Sequence, residues 1–319
     1  MSTLPLSPKS SHLFGPVPSR RLGLSLGIDL VPFKTCTLNC IYCELGKTAQ
    51  PMTERKEYVS YAVLEEEINR FFDLNPLENR IDYITLSGSG EPTLNTALPQ
   101  VVELLRRKTT TPIALLTNGT LFSDLAVRQA ALGVDLILPS LDAVSQEIFA
   151  KLNRPAPELD NEKIIAGLIA LRREFSGQIW LEILFCRGFN DNPEEIFRLI
   201  AAAKQIMPDR IQLNTVVRPG VLSSAQAVSA EFLAAWASHF TPPAEIIAPF
   251  SYPGAQTCGL EKSEKLIIET LKRRPCTLAD LEKAMGLKRV EVLKIISLLL
   301  EKKQIKPLDH EGRRYYQSI

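Results

Sequence analysis

Lys34-Thr-Cys-Thr-Leu-Asn-Cys-Ile-Tyr-Cys-Glu-Leu-Gly46 follows directly on an apolar run and sets Cys36, Cys40 and Cys43 in the spacing CxxxCxxC. Thiolates three and two residues apart can turn inward onto one soft metal centre, and sulfur ligands favour zinc or iron–sulfur clusters over hard cations. A structural zinc needs four protein ligands. The closest further candidates, His12 and Cys186, lie far off in sequence, which disfavours zinc. A [4Fe–4S] cluster held by three cysteines instead leaves one iron open to an exogenous molecule.

On either side of this loop, apolar residues arrive in short runs: Leu24 to Val31, Ile81 to Leu86, Pro112 to Leu116, Val134 to Pro139, Gln178 to Phe185 and Arg210 to Val217. Five intervening segments carry helical spacing; Tyr61 to Phe72, for example, puts Val63, Leu64, Ile68, Phe71 and Phe72 on one stripe. Strands alternating with helices predict parallel strands joined by right-handed crossovers. The expected fold is α/β, a partial (β/α)6 TIM-type barrel. Barrels of this kind carry their chemistry at the carboxyl ends of the strands, so functional groups belong just after each run. The three cysteines follow the first run and Ser87-Gly-Ser-Gly-Glu-Pro92 follows the second. Thr117-Asn118-Gly119 closes the third, and Pro139-Ser140-Leu-Asp142 closes the fourth. Asp142 reads equally as a helix cap for Ser145 to Ala150. Within the fifth run, Glu182 must face a partner or a polar interior, because burying an unpaired charge is costly. Arg187 lies just past that strand, and Asn214 ends the sixth.

CxxxCxxC with an aromatic residue, Tyr42, before the last cysteine resembles the cluster loop of the radical S-adenosylmethionine enzymes. The resemblance implies a [4Fe–4S] cluster on Cys36, Cys40 and Cys43 whose open iron chelates the amino and carboxylate groups of S-adenosyl-L-methionine. A reduced cluster would then cleave the sulfonium to a 5′-deoxyadenosyl radical that abstracts hydrogen from a substrate. Gly90 and Glu91 resemble part of the family's GGE motif, with Ser89 in place of its first glycine. Ser140 and Asp142 match positions that hold ribose hydroxyls, and Asn118 offers a similar polar group. Arg187 is a candidate partner for the cofactor carboxylate, while the adenine motif GxIxGxxE is not recognisable. Tyr42, Glu182 and Asn214 complete the expected cofactor surroundings. The opening GPVPSRR, ending at Arg21, resembles a poorly characterised group within this superfamily.

Hydrophobic content of 45% and charge of 23% are ordinary for a globular chain, and no apolar run approaches the roughly 20 residues a bilayer demands. Six cysteines without a disulfide-type framework, and no signal-like start, lead to an expected cytoplasmic location. Residues 1 to 22, rich in proline, are expected to be an irregular arm, 23 to 218 the barrel, and 219 to 261 an extension or lid containing Cys258. Residues 262 to 319 hold fourteen Lys or Arg against eight Asp or Glu. Three helical segments, with Thr277 as a cap and Lys288 and Arg289 opening the third, precede a hairpin, a pattern that resembles a winged helix-turn-helix domain. Such a basic unit allows nucleic acid as a partner, and a flavodoxin, ferredoxin or reductase is expected as electron donor. Rival readings are a tRNA-modifying or protein-activating enzyme of the same superfamily, and a DNA-binding iron–sulfur redox regulator. Substrate and oligomeric state are not readable from these residues.

Overall fold

A computed structural model describes residues 12–74, 81–87, 89–247, 260–285, 287, 289–310 and 312–319. Gly88, Cys258, Gly286 and Lys288, singled out in sequence, lie outside them, as do 1–11 and most of the aromatic loop before residue 260. The first eight strands form one sheet in sequential order: β1 Leu13–Ser19, β2 Gly23–Ile28, β3 Tyr83–Leu86, β4 Ile113–Thr117, β5 Leu136–Pro139, β6 Gln178–Phe185, β7 Arg210–Thr215 and β8 Glu245–Ile246. From β2 onward every pairing is parallel, whereas β1 runs antiparallel to β2. Between the parallel strands lie α1 Tyr61–Leu74, α2 Leu98–Lys108, α3 Leu125–Ala131, α4 Gln146–Leu152, α5 Asn161–Glu174, α6 Pro193–Ile206 and α7 Ala230–Ala237. This is an α/β fold with a parallel sheet, as a partial barrel requires.

The strands are short apolar runs because both of their faces are covered. Leu64 and Ile68 of α1, Leu105 of α2 and Leu199 of α6 pack in one core with Ile84, Leu115 and Ile183 of the sheet. Helix starts follow capping chemistry. Asp160 accepts from the Lys163 amide at 3.0 Å to open α5, and Asn192 accepts from Glu195 at 3.0 Å, ahead of Pro193 in the first turn of α6.

Two departures from the sequence expectations matter for the site. Residues 13–19, expected to be part of an irregular arm, are strand β1, and β8 extends the sheet where only a lid was expected. Prolines at 16 and 18 remain compatible with β1 because it is an edge strand. Gly27 permits the pairing at close range: a Cβ there would meet the Phe14 ring at 2.0 Å.

The remaining elements are α8 Leu260–Arg273, β9 Cys276–Thr277, α9 Leu278–Met285, α10 Arg289–Glu301, β10 Ile305–His310 and β11 Arg313–Ser318. They enclose a separate core that includes Ile267, Leu271, Val292, Ile296 and Leu299, with an antiparallel sheet in the order β10-β11-β9. Thr277 caps α9 reciprocally: its hydroxyl accepts from the Asp280 amide at 3.1 Å, and the Asp280 carboxylate accepts from the Thr277 amide at 3.0 Å. This unit touches the barrel through Arg273 and through Tyr315, whose hydroxyl donates to Val217 O at 2.9 Å. No helix among the described residues is long and apolar enough to cross a membrane.

Candidate active site

All the parallel strands from β2 to β7 send residues at or just beyond their carboxyl ends to one cavity of about 470 Å³. Cys36 and Cys43 line it with Gly90 and Glu91 after β3, Asn118 after β4, Ser140 after β5, Glu182 on β6 and Asn214 on β7. Cys36 and Cys40 also line a smaller adjoining cavity of about 80 Å³ with Ser140 and Asp142.

Three nitrogen donors reach the thiol sulfurs: Lys34 Nζ is 3.0 Å from Cys43 Sγ, Asn118 Nδ2 is 3.5 Å from Cys36 Sγ and Asn153 Nδ2 is 3.5 Å from Cys40 Sγ. Burial, with Glu91 and Cys43 nearby, pushes the Cys36 thiol up to about 12. Burial and the other two cysteines raise Cys40 further. Three half-buried sulfurs with amide and ammonium donors at hydrogen-bond distance, two of them held protonated by burial, suit a cationic iron–sulfur group that would neutralise their thiolates. Among the described residues no three His, Cys, Asp or Glu side chains converge as the ligands of a single ion would.

Glu91 is less a ligand-facing acceptor than a fastener. Its carboxylate accepts from the Thr93 amide at 3.1 Å, Thr93 Oγ1 at 2.6 Å, Thr117 Oγ1 at 2.7 Å and the Asn118 amide at 2.7 Å, tying the ends of β3 and β4 together. Burial nonetheless raises its pKa, outweighing these bonds. Gly90 serves the same purpose: a Cβ there would lie 2.0 Å from Thr35 O, and the next amide, of Glu91, donates to that oxygen at 2.9 Å. The close approach that glycine permits is thus to the cysteine loop. Ser89 is turned away, bonded to buried Asp29 through its amide at 2.8 Å and its hydroxyl at 3.1 Å.

Asp142 does not cap a helix. Tyr42 Oη donates to it, Asn153 Nδ2 donates at 2.9 Å and the Leu184 amide at 2.9 Å. Its burial outweighs these donors and lifts its pKa to about 6. Glu182 faces the interior as expected, where Arg21 donates to one oxygen and Asn214 Nδ2 to the other at 2.8 Å. Burial alone would raise Glu182, but Arg21, Asn214 and Arg20 more than offset it, and the net shift is downward. Arg187, expected beside the cofactor carboxylate, is instead exposed and off the cavity, and among the described residues it contributes only its backbone amide, to Gln226 O at 2.9 Å. The chain bends outward after β6 at Arg187 and Gly188, so the side chain that looked like a strand-end ligand points to solvent.

Sequence reasoning missed Lys34, Asn153 and the wall supplied by α8. Lys34 adopts φ 61°, an uncommon backbone for lysine, and its amide donates to Ser89 O at 2.6 Å. Its position two residues before Cys36 was the available signal. Asn153 is 113 residues from Cys40, and nothing local marks it. Helix α8 contributes Leu266, Glu269, Thr270 and Arg273 to the cavity lining, and Arg274 follows just past its end.

A parallel sheet that gathers three cysteines and a set of strand-end polar groups around two adjoining cavities defines an α/β protein with a site built for a sulfur-ligated cofactor. A Radical SAM superfamily model matches residues 30–200, more than half of the chain, and the chain belongs to that superfamily. Over 301 residues it is 35% identical to a Brachyspira hyodysenteriae protein named GTPase Obg, covering 93% of this chain and 44% of that protein. It is 38% identical over 210 residues to the UPF0026 protein MJ1312 of Methanocaldococcus jannaschii, covering 65% of this chain and 64% of that one. The chain therefore spans less than two thirds of either relative's length. Streptococcus suis SuiB, solved with S-adenosylmethionine bound, aligns with a TM-score of 0.49 at 12% identity, over 72% of this chain and 51% of that one. Members of the superfamily use a [4Fe–4S] cluster and S-adenosylmethionine, and typically need an electron donor.

Proposed function

We propose that this chain is an enzyme that cleaves S-adenosylmethionine reductively and abstracts hydrogen from a substrate admitted to the 470 Å³ cavity. One observation carries the reading: Cys36 and Cys43 of the CxxxCxxC loop open into the same cavity that collects polar residues at the parallel strand ends, and Cys40 opens into the smaller one beside it. In this reading Cys36, Cys40 and Cys43 hold the cluster. When bound, cluster and S-adenosylmethionine supply one-electron cleavage to a 5′-deoxyadenosyl radical; the protein positions the groups. Gly90 and Glu91 brace the cysteine loop against β3 and β4. Asn118 and Ser140 face the cofactor, Tyr42 and Asp142 support the loop from behind, and Glu182 with Asn214 shapes the far wall. Arg187 takes no part.

Residues 262–319, which we read as a winged helix-turn-helix domain appended to an arm (1–22), barrel (23–218) and extension (219–261), act as a docking unit. Their basic balance favours nucleic acid, for instance tRNA, as the second reading. A flavodoxin- or ferredoxin-type donor would supply the electron.

The test is anaerobic reconstitution with iron and sulfide, reduction with dithionite and addition of S-adenosylmethionine. 5′-Deoxyadenosine is expected from the unaltered chain and not from the Cys36→Ala/Cys40→Ala/Cys43→Ala variant. Product formed by that variant would overturn the ligand assignment. Cluster-dependent DNA binding without 5′-deoxyadenosine would instead favour a redox regulator. RNA that co-purifies, and is lost on deletion of 262–319, would support the docking role.

A further inference from the structure

Arg20 is a cavity-lining charge without a direct partner among the described residues. It follows β1, lines the cavity, and forms no hydrogen bond or ion pair with any described residue. The carboxylates whose charge it feels are Glu44 and Glu182, and both are already engaged. Arg218 Nη1 contacts Glu44 at 3.2 and 3.3 Å, and Arg21 holds Glu182. Three guanidinium groups thus share two carboxylates in a half-buried setting. Burial first, and Arg218 next, lower the pKa of Arg20, as expected of a cation short of counter-charge. Arg218 is only 7% exposed, and its Nε has no partner.

Two further arginines line the same cavity, and the charge of Arg274, like that of Arg218, reaches Cys276. Arg274, just past α8, lines the cavity with no described side-chain partner, and Arg273 Nε is buried without one although its Nη2 pairs with Asp29 at 3.0 Å. Of the carboxylates that line the cavity, Glu44, Glu182 and Glu91 are engaged by Arg218, Arg21 and Thr117, whereas Glu269 on α8 has no described side-chain partner. An anion is therefore expected away from Glu269 and against Arg20 and Arg218, which feel each other's charge. A half-buried cation without a direct partner is costly, and the two carboxylates near Arg20 are already bound by Arg218 and Arg21.

We propose that the cavity binds a substrate bearing a phosphate group, gripped by Arg20 with Arg218 and Arg274 around it. This rests on the cavity being the substrate chamber proposed above. Guanidinium donors from three separate parts of the chain suit a group with three peripheral oxygens and a charge near −2 better than a two-oxygen carboxylate. The other anion that would enter this cavity is the carboxylate of S-adenosylmethionine, and the experiment separates the two.

Inorganic phosphate, malonate and S-adenosylmethionine are titrated separately by calorimetry into the cluster-loaded full chain and its Arg20→Gln variant, with circular dichroism checking the fold. Phosphate is expected to bind more tightly than malonate and to lose about tenfold in affinity in Arg20→Gln, the size of one charge-assisted hydrogen bond. Arg20→Lys should recover part of that loss, and S-adenosylmethionine should bind both proteins alike. Equal phosphate affinity in the two proteins, or tighter binding of malonate, overturns the proposal. So does a tenfold loss of S-adenosylmethionine affinity, which would make the anion the cofactor's own. Should Arg20→Gln fail to fold, the unaltered chain decides: phosphate must raise its Tm above that in chloride of equal ionic strength, and no rise overturns the proposal. Phosphate bound without 5′-deoxyadenosine formation would remove the enzymatic reading alone; the converse would remove the phosphate site alone.

Discussion

At Gly90 a single missing methyl group sets the distance between the cysteine loop and the sheet. Gly90→Ala would drive Cβ to 2.0 Å from Thr35 O, a backbone atom without freedom to yield, and so displace the loop bearing Cys36. The expected outcome is iron content on reconstitution well below that of the unaltered chain, with the sheet intact by far-UV circular dichroism. Full iron loading in this variant would dissociate the glycine from the metal centre. Glu182 offers a pH test. Its pKa is depressed in the fold, largely by Arg21 against the cost of burial. A depressed carboxyl stabilises the fold above its unfolded pKa, about 4.3, and that contribution is lost as pH falls through the lower folded value. Glu182→Gln should therefore cost about 3 kcal/mol at pH 7, typical of breaking a buried pair, and the gap to the unaltered chain should narrow below pH ~4. Urea melts of both proteins at the two pH values check it; a pH-independent gap would contradict the ion pair.

Elements meet at the strand ends through buried polar side chains rather than through longer helices or strands. Asn95, fully buried, donates to Leu30 O at 2.5 Å and Val59 O at 2.9 Å and accepts from the Ala97 amide at 2.8 Å. It joins the segment after β2, the approach to α1 and the start of α2. Asn95→Ala strands two carbonyls and an amide, and should cost about 2 to 4 kcal/mol in urea-determined stability. A loss below about 0.5 kcal/mol would show that water replaces it. Glu195 in α6 works in the same way, accepting from the Val144 amide at 2.5 Å and the Ser145 amide at 3.0 Å to hold the start of α4. Neither residue stands out in sequence, because their partners lie 51, 50, 65 and 36 residues away.

For the molecule as a whole, Arg273 is the clasp between two hydrophobic cores. Its guanidinium stacks 3.7 Å from the Phe14 ring, pairs with Asp29 at 3.0 Å and donates to Glu269 O at 3.1 Å. Asp29 in turn binds Ser89, so the helix beside the cavity is linked through two residues to the segment that carries Gly90 and Glu91. Arg273→Ala removes the ion pair and the stacking together. Amide exchange in α8 is expected to speed up about tenfold or more while β3 and β4 remain protected; unchanged exchange in α8 would assign its docking to other contacts.

The strands, the helices between them and the rule that chemistry sits at the carboxyl ends were readable from residue order, because apolar periodicity and cysteine spacing are local properties. So was the interior placement of Glu182, since the cost of burying its charge constrains it wherever the strand goes. Other features depended on folding. Edge strand β1 hid behind its prolines, Arg187 turned outward where the chain bends, and Glu91 found four donors on residues that include 117 and 118. Pairing partners, and hence which charges are satisfied and which, such as Arg20, have no direct partner among the described residues, are set by contacts between residues distant in the chain. No single segment encodes those contacts, and only the assembled sheet, with α8 beside the cavity at its strand ends, brings them together.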